Sequence, residues 1–388
     1  MTDIRDTELG LAYDLLSNFV SVSPAQMTLL VTWAAATNIF RRYPAFARLD
    51  LAAVSKGCGK TTAMETTLAL CPQSITIASS TQGSVKNWID EYPDAVVGLD
   101  ERDLIFGTMG RGGGASKELV AILNAGYAQN GYVLATRNGK AVKMPVYNGM
   151  ATAGIGRAPG TLADRSVSIV LEKRLPQDTW VSVLHEKALR RAGKELGDWL
   201  DSRASQKVLD TTPMLADLIS DEADPRDLLK LAPMAAVAQV AGCLADWREA
   251  EHEVRTGITS NPLPTRSEML LDILASKVPG ELVNAEAIRM LAADIGFTDG
   301  RLGDIEIASL MRQSGVESTP TNGQRGYRVP AHSAHLAHSL PFSTLSTLTT
   351  QAAHSRAHTQ ESSRPAQPFG QVLASYLVEA PHRGDGSG

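Results

Sequence analysis

The sequence predicts an α/β fold: a parallel sheet core carrying a phosphate-binding loop, then a helical lid and a small C-terminal winged-helix-like module. Two observations carry this. Between Leu49 and Arg174, apolar runs of strand length alternate with segments of helical period, and strands that alternate with helices imply a parallel sheet. The first of these runs, LDLAAV, leads into SKGCGKTT and then into the helical AMETTLALC, the strand, loop and helix order of a phosphate cradle. A chain of 388 residues has room for two or three domains.

In chain order, Ser23 to Phe40 places Leu29, Leu30, Trp33, Ala34 and Ile39 at helical spacing, with Ser23 as N-cap and Pro24 in the first turn, which predicts an amphipathic helix. After LDLAAV and its helix, Ser74 to Ser79 reads as a strand, Val85 to Tyr92 as a short helix and Asp94 to Leu99 as a third strand. The glycines of GTMGRGGGAS suit neither helix nor strand, so a loop precedes the helical KELVAILNAGYAQ. Tyr132 to Thr136 and Ala141 to Val146 alternate around Asn138-Gly139, a strong hairpin signal. GMATAGIG and SVSIVLEK supply two further strands. Trp180 to Trp247 reads as mostly helical, with Leu184, Leu189, Leu196, Trp199 and Leu200 on one side. Beyond the linker SNPLPTRS, Ser267 to Pro330 gives three helices and a hairpin at Asn322-Gly323, a winged-helix-like order. From Ala331 the Ser, Thr, His, Ala and Pro composition predicts disorder. The expected division is therefore a helical segment 1–46, the core 47–175, a helical lid 176–260, the small module 261–330 and a low-complexity tail 331–388.

Composition excludes several classes. With 37 basic and 42 acidic side chains the net charge is -5, so no basic coat draws nucleic acid to the whole surface and any polyanion contact must be local. Cys58, Cys71 and Cys243 have neither disulfide-framework nor zinc-ribbon spacing. No run approaches the roughly 18 apolar residues of a membrane span, and MTDIRDTELG lacks a signal-peptide core. The expectation is a cytoplasmic protein without a membrane partner.

The chemistry concentrates in two motifs. In GCGKTT, successive backbone N–H groups of Gly57, Cys58, Gly59, Lys60, Thr61 and Thr62 can wrap phosphate oxygens at a helix N-terminus. Lys60 would neutralise the β- and γ-phosphates of ATP, and the Thr61 hydroxyl would ligate Mg2+. Val54 stands where the usual pattern has a further glycine. The second motif, AVVGLDE, ends a buried strand in Asp100 and Glu101, about 40 positions downstream, which leaves room for one extra strand and helix. Asp100 suits magnesium, and Glu101 suits polarising a water, which points to hydrolysis rather than transfer to a substrate.

GCGKT, LDE, LNAGY followed by a hairpin, and AGIGRAPGTLADRSVSIVL resemble the helicase-like P-loop ATPase domain of unknown function from actinobacterial phages, prophages and plasmids. The resemblance spans about Leu11 to Tyr327 and is densest from Leu49 to Leu171. That family often carries a primase-like module. Fewer than about 50 residues precede the first strand here, so primer synthesis is not implied. Its layout is similar to AAA+ and superfamily 3 ring ATPases, which implies a homo-oligomer such as a hexamer and a primase or other replication protein as partner. In that layout an arginine before the last core strand reaches a neighbour's ATP, and Arg165 holds this place with Arg157 as its competitor. Arg226 resembles the family's arginine ahead of the helical segment, a cis sensor of the γ-phosphate.

The hairpin corresponds to the DNA-gripping hairpin of such rings, and Arg137, Lys140 and Lys143 could follow a single-stranded DNA backbone. An ordinary exposed turn is the competing reading. Arg111 is a weaker candidate of the same kind. Asp304 and Glu306 make the small module a poor base reader, so Arg325 and Arg328 touching a backbone and a subunit-docking role both stand. His332, His335 and His338 lack acidic or cysteine partners and read as low-complexity tail. Thr152 is a candidate sensor. The expected function is an ATP-hydrolysing, ring-forming, helicase-like motor on DNA in phage or mobile-element replication. Its alternative is a nucleotide-dependent switch, an initiator, loader or defence-type ATPase that never translocates.

Overall fold

A computed structural model describes residues 2–77, 82–102, 114–171 except 138 and 159, 183–211 and 225–260. Within 266–328 it describes all but 276, 278–280, 295–302, 314–315, 317 and 322–323. The loop 103–113, with Arg111, and the tail with its histidines lie outside the described residues.

The helices are α1 (Gly10–Ser17), α2 (Pro24–Ala36), α3 (Lys60–Ala69), α4 (Gln82–Glu91), α5 (Gly114–Ala125), α6 (Gly160–Ala163) and α7 (Val183–Leu200). They continue as α8 (Arg203–Thr211), α9 (Pro225–Ala241), α10 (Leu244–Ser260), α11 (Arg266–Ala275), α12 (Ala285–Asp294) and α13 (Asp304–Gln313). Strands β1 (Arg48–Ala53), β2 (Ser74–Ile77), β3 (Val96–Leu99), β4 (Tyr132–Arg137), β5 (Lys140–Pro145), β6 (Met150–Ile155) and β7 (Ser166–Val170) form the first part of the chain's sheet structure.

Five of these strands make one parallel sheet in the order β2-β3-β6-β1-β7. The order itself dictates the layers. The chain moves one way across the sheet from β1 to β2 and the other way through β3, β6 and β7, and right-handed crossovers put the two sets of connections on opposite faces. Accordingly Leu49, Leu51, Ala53, Ala151, Ala153, Val167 and Ile169 share a core with α2, α3 and α7. On the other face, Val97, Leu99 and Met150 pack with Val85 and Ile89 of α4, Leu119, Ile122 and Leu123 of α5, and Leu162 of α6.

Close approach of α3 to β3 depends on Gly98, where an added Cβ would stand 2.5 Å from Leu68 Cδ1 and 3.1 Å from Met64 Sδ. This packing brings the first turn of α3 beside the end of β3.

Ser23 caps α2 as expected: its Oγ accepts from Gln26 N, Gln26 Oε1 accepts from Ser23 N, both at 3.2 Å, and Pro24 is the first helical residue. The expected amphipathic character is corrected. Nearly every α2 residue is buried, because α9 and α10 cover the side that would otherwise face water. Trp33 Nε1 donates to Ala47 O at 2.8 Å and Trp247 Nε1 donates to Thr32 Oγ1 at 3.1 Å, tying α2 to the start of β1 and to α10. The described residues of the expected lid 176–260, namely 183–211 and 225–260, thus share one continuous core with the N-terminal helices and one face of the sheet.

At the carboxyl ends of β1 and β6 stands the small module. Its helices α11, α12 and α13 pack with β8 (Leu282–Asn284), β9 (Ser318–Thr321) and β10 (Gln324–Arg328), an antiparallel sheet in the order β8-β10-β9. Its core takes in Ile155, with Val54 packed against it. Among the described residues no helix is long and apolar enough to cross a membrane.

Candidate functional site

Strand β1 delivers the chain into the loop 54–59 at the carboxyl edge of the sheet. Gly57 and Gly59 both have φ of +77°, a region that L side chains rarely enter, so the glycines let the loop turn tightly into α3. Gly59 is the N-cap residue and caps through no side chain, which leaves the first-turn N–H groups pointing out of the helix end. Cys58 between them is buried, with its sulfur 3.6 Å from Ser55 Oγ, so this residue offers the loop its backbone rather than its thiol. Lys60 Nζ donates to Ser55 O at 3.2 Å, folding the ammonium back across the loop. Thr62 follows in the first turn, half-buried.

The second motif arrives on β3. Thr61 Oγ1 donates to Asp100 Oδ2 at 2.7 Å, joining residues 39 positions apart. The other carboxylate oxygen, Oδ1, accepts from Glu101 N at 2.8 Å. Glu101 itself is exposed and has φ of +53°, the one positive-φ residue other than glycine among the described residues. Such a backbone costs roughly 1–3 kcal/mol and persists where its surroundings over-determine it. Two hard oxygen donors, the Thr61 hydroxyl and the Asp100 carboxylate, therefore meet at the helix N-terminus, a donor set that fits Mg2+.

Beneath this pair lies a buried polar cluster that the sequence reading missed. Arg102 and Asp50 are 2% and 1% exposed and form an ion pair. Arg102 Nη2 also donates to Gly156 O, and Thr152 Oγ1 donates to Asp50 Oδ1 at 3.0 Å. Thr152, a sequence candidate for sensing nucleotide, has its hydroxyl committed to this cluster. One signal was available: Asp50 is an acid inside the apolar run LDLAAV, and a charge buried there requires a partner.

The remaining candidates stand elsewhere. Arg165 O accepts from Arg48 N at 2.9 Å, so Arg165 lies at the amino-terminal edge of the sheet. Strand β1, six residues at about 3.3 Å each, separates that edge from the loop. Its guanidinium donates to Asn124 Oδ1 at 2.7 Å and lies 4.9 Å from the Tyr127 ring centroid. Arg226 lies in the first turn of α9, one turn before Lys230, whose O accepts from Ala47 N and whose Nζ reaches Asp164 O. The backbone of Arg226 is thus at the amino-terminal edge too, against the expectation of a sensor in cis; its side chain lies outside the described residues. Arg157, by contrast, is exposed directly after β6, at the carboxyl edge with the loop.

On the hairpin, β4 and β5 pair in register from Tyr132↔Pro145 to Arg137↔Lys140. Arg137, Lys140 and Lys143 are exposed, but Arg137 pairs with Asp90 of α4 and Lys143 Nζ sits 4.6 Å above the Tyr132 ring. The outward face also carries Leu134, 67% exposed. In the small module Arg328 is exposed, and the Arg325 side chain lies outside the described residues. Among the described residues no cluster of three or more His, Cys, Asp or Glu could hold a metal.

No protein-family model matches the chain, and no curated protein matches it.

Proposed function

We propose that this protein is an ATP-hydrolysing P-loop enzyme of AAA+ type, a ring-forming, helicase-like motor acting on single-stranded DNA. The observation that carries the reading is the 2.7 Å contact between Thr61 Oγ1 and Asp100 Oδ2 beside the exposed Glu101. A glycine turn at a helix N-terminus supplies N–H donors for the β- and γ-phosphates, with Lys60 as the neighbouring cation. Support also comes from the sheet order. The β1 connection leaves for one face and that of the adjacent β6 for the other, and ligands of open α/β sheets bind in the crevice that such a reversal opens at the carboxyl edge.

Thr61 and Asp100 would hold Mg2+, which supplies charge neutralisation across the phosphates. The Glu101 carboxylate would accept a hydrogen bond from the attacking water and then its proton. The oxygen of that water bonds the γ-phosphorus as the bond to the β–γ bridging oxygen breaks, leaving ADP and inorganic phosphate. Arg165, on the far edge from its own loop, would reach only the site of a neighbouring copy. That arrangement motivates the ring, and a finger of this kind is worth about 10³ to 10⁵ in rate. Arg226, on the same edge, would likewise face a neighbour.

A second reading, a nucleotide-dependent switch in replication initiation, loading or defence, draws support from the hairpin. Arg137 is engaged by Asp90 and Lys143 by Tyr132, which leaves Lys140 as the hairpin cation with the least local engagement. Measurement of ATP turnover by the purified protein decides the core of the reading. Lys60→Ala is expected to lose ATP binding, and Glu101→Gln to bind ATP with turnover reduced at least about 10²-fold. Undiminished hydrolysis by Glu101→Gln refutes the mechanism. Stimulation by single-stranded DNA that is lost on replacing Arg137, Lys140 and Lys143 with Ala favours the motor, and its absence favours the switch.

A further inference from the structure

We infer that Arg102 is a positioning residue for Glu101, acting through the buried Asp50 and the carbonyl of Gly156. The inference rests on the ATPase reading above and assigns the part of the fold that aims its water-activating carboxylate.

Consecutive residues leave β3 in opposite directions: Glu101 is exposed, while Arg102 is buried. The turn between them is the positive-φ position, a conformation in which neighbouring structure must hold the chain. Arg102 provides that hold. Its guanidinium reaches across β6 to pair with Asp50 on β1 and donates to Gly156 O at the end of β6. Gly156 N in turn donates to Ala53 O at 2.9 Å, and Thr152 Oγ1 on β6 bonds Asp50. The side chain thus ties the chain leaving β3 to the middle of β1 and the end of β6, and the Gly156 N bond to Ala53 O carries the tie on to the carboxyl end of β1, so the ends of β1, β3 and β6 are held together. The loop grows from the first of these ends, Asp100 and Glu101 from the second, and the exposed Arg157 from the third.

Stability does not explain the pair. A buried ion pair is commonly no more stabilising than apolar side chains of similar volume, and Asp50 Oδ2 is buried with no hydrogen-bond partner. What the charges supply and apolar packing would not is direction: a planar, forked cation fixes both the carboxylate and the carbonyl it touches, and with them the backbone one residue after Glu101. Displacing a reacting group by about 1 Å can cost about 10²-fold in rate.

The test removes the charges together, so that neither is left bare. The variant Arg102→Met/Asp50→Leu is expected to keep the wild-type melting temperature and to bind a fluorescent non-hydrolysable ATP analogue within about threefold of wild type, while kcat falls about 10²-fold. Adding Glu101→Gln to it is expected to cost less than about threefold more, although Glu101→Gln alone costs the full catalytic effect. Asp50→Asn, which keeps the shape, is expected to lower kcat with analogue binding retained, and serves if the double variant fails to fold. A folded variant of either kind that hydrolyses ATP within threefold of wild type overturns the inference. So does a Glu101→Gln effect that is undiminished in the double variant. Failure of the wild-type protein itself to bind or hydrolyse ATP overturns the underlying ATPase reading instead.

Discussion

Gly98→Ala tests the packing that brings the two motifs together. A methyl group at residue 98 would lie 2.5 Å from Leu68 Cδ1 and 3.1 Å from Met64 Sδ, and both neighbours are buried, at 2% and 0% exposure. Ordinary contact requires Leu68 to withdraw by roughly 1 Å inside a close-packed interior, and overpacking of this kind costs about 1–3 kcal/mol. A stiffer unfolded chain returns about 0.4–1 kcal/mol. The expected result is a net loss centred on about 1.3 kcal/mol in urea unfolding, read as a lower midpoint at unchanged slope. Leu68→Ala opens the same space, so the double variant should fall short of additive destabilisation by at least about 0.5 kcal/mol. Because Leu68 and Thr61 ride on one helix, the proposed ATPase activity should fall in Gly98→Ala and partly recover in the double variant. Stability at or above wild type, or strict additivity with Leu68→Ala, would show that Gly98 is not what sets the distance between α3 and β3.

Two further outcomes are expected. Ser23→Ala removes the reciprocal cap of α2 and should lower unfolding free energy by about 1 kcal/mol, measured by denaturant titration, with Ser23→Gly costing only a few tenths. Burial pushes the Cys71 thiol up to about 12, so folding favours its protonated form. That stability is fully present below the unfolded thiol pKa and is lost as pH rises toward the folded value. Between pH 9 and 11 the wild type should therefore lose about 1.4 kcal/mol per pH unit more than Cys71→Val; parallel pH profiles for the two would contradict this.

Which parts were legible follows from what each part is made of. The glycine loop and the acidic strand end could be located because they rest on local backbone: Gly57 and Gly59 suit the turn itself, and Asp100 and Glu101 stand at the end of an apolar run. The five strands followed from apolar runs set between helical segments, with boundaries shifted by one to three residues. Burial of α2 on all sides was less accessible, since its cover, α9 and α10, comes some 200 residues later. The Asp50 to Arg102 pair spans 52 positions and has no local pattern; only the charge inside LDLAAV marked half of it. The placement of Arg226 likewise depended on where α9 begins in space, which residue type and order do not encode.

The shared apolar contact at Ile155 and Val54 has a bearing on how the parts of the chain communicate. Val54 is the first residue of the glycine loop after β1 and Ile155 the last of β6, yet both lend their surface to the core of the small module. A chain ending near residue 260 would leave these two side chains wet beside the glycine loop. Conversely, force or a ligand applied to the module arrives at the root of the loop without crossing the sheet. The module is in that sense a handle on the loop, and its attachment gives a partner of the C-terminal region a short mechanical route to the residues that would grip phosphate.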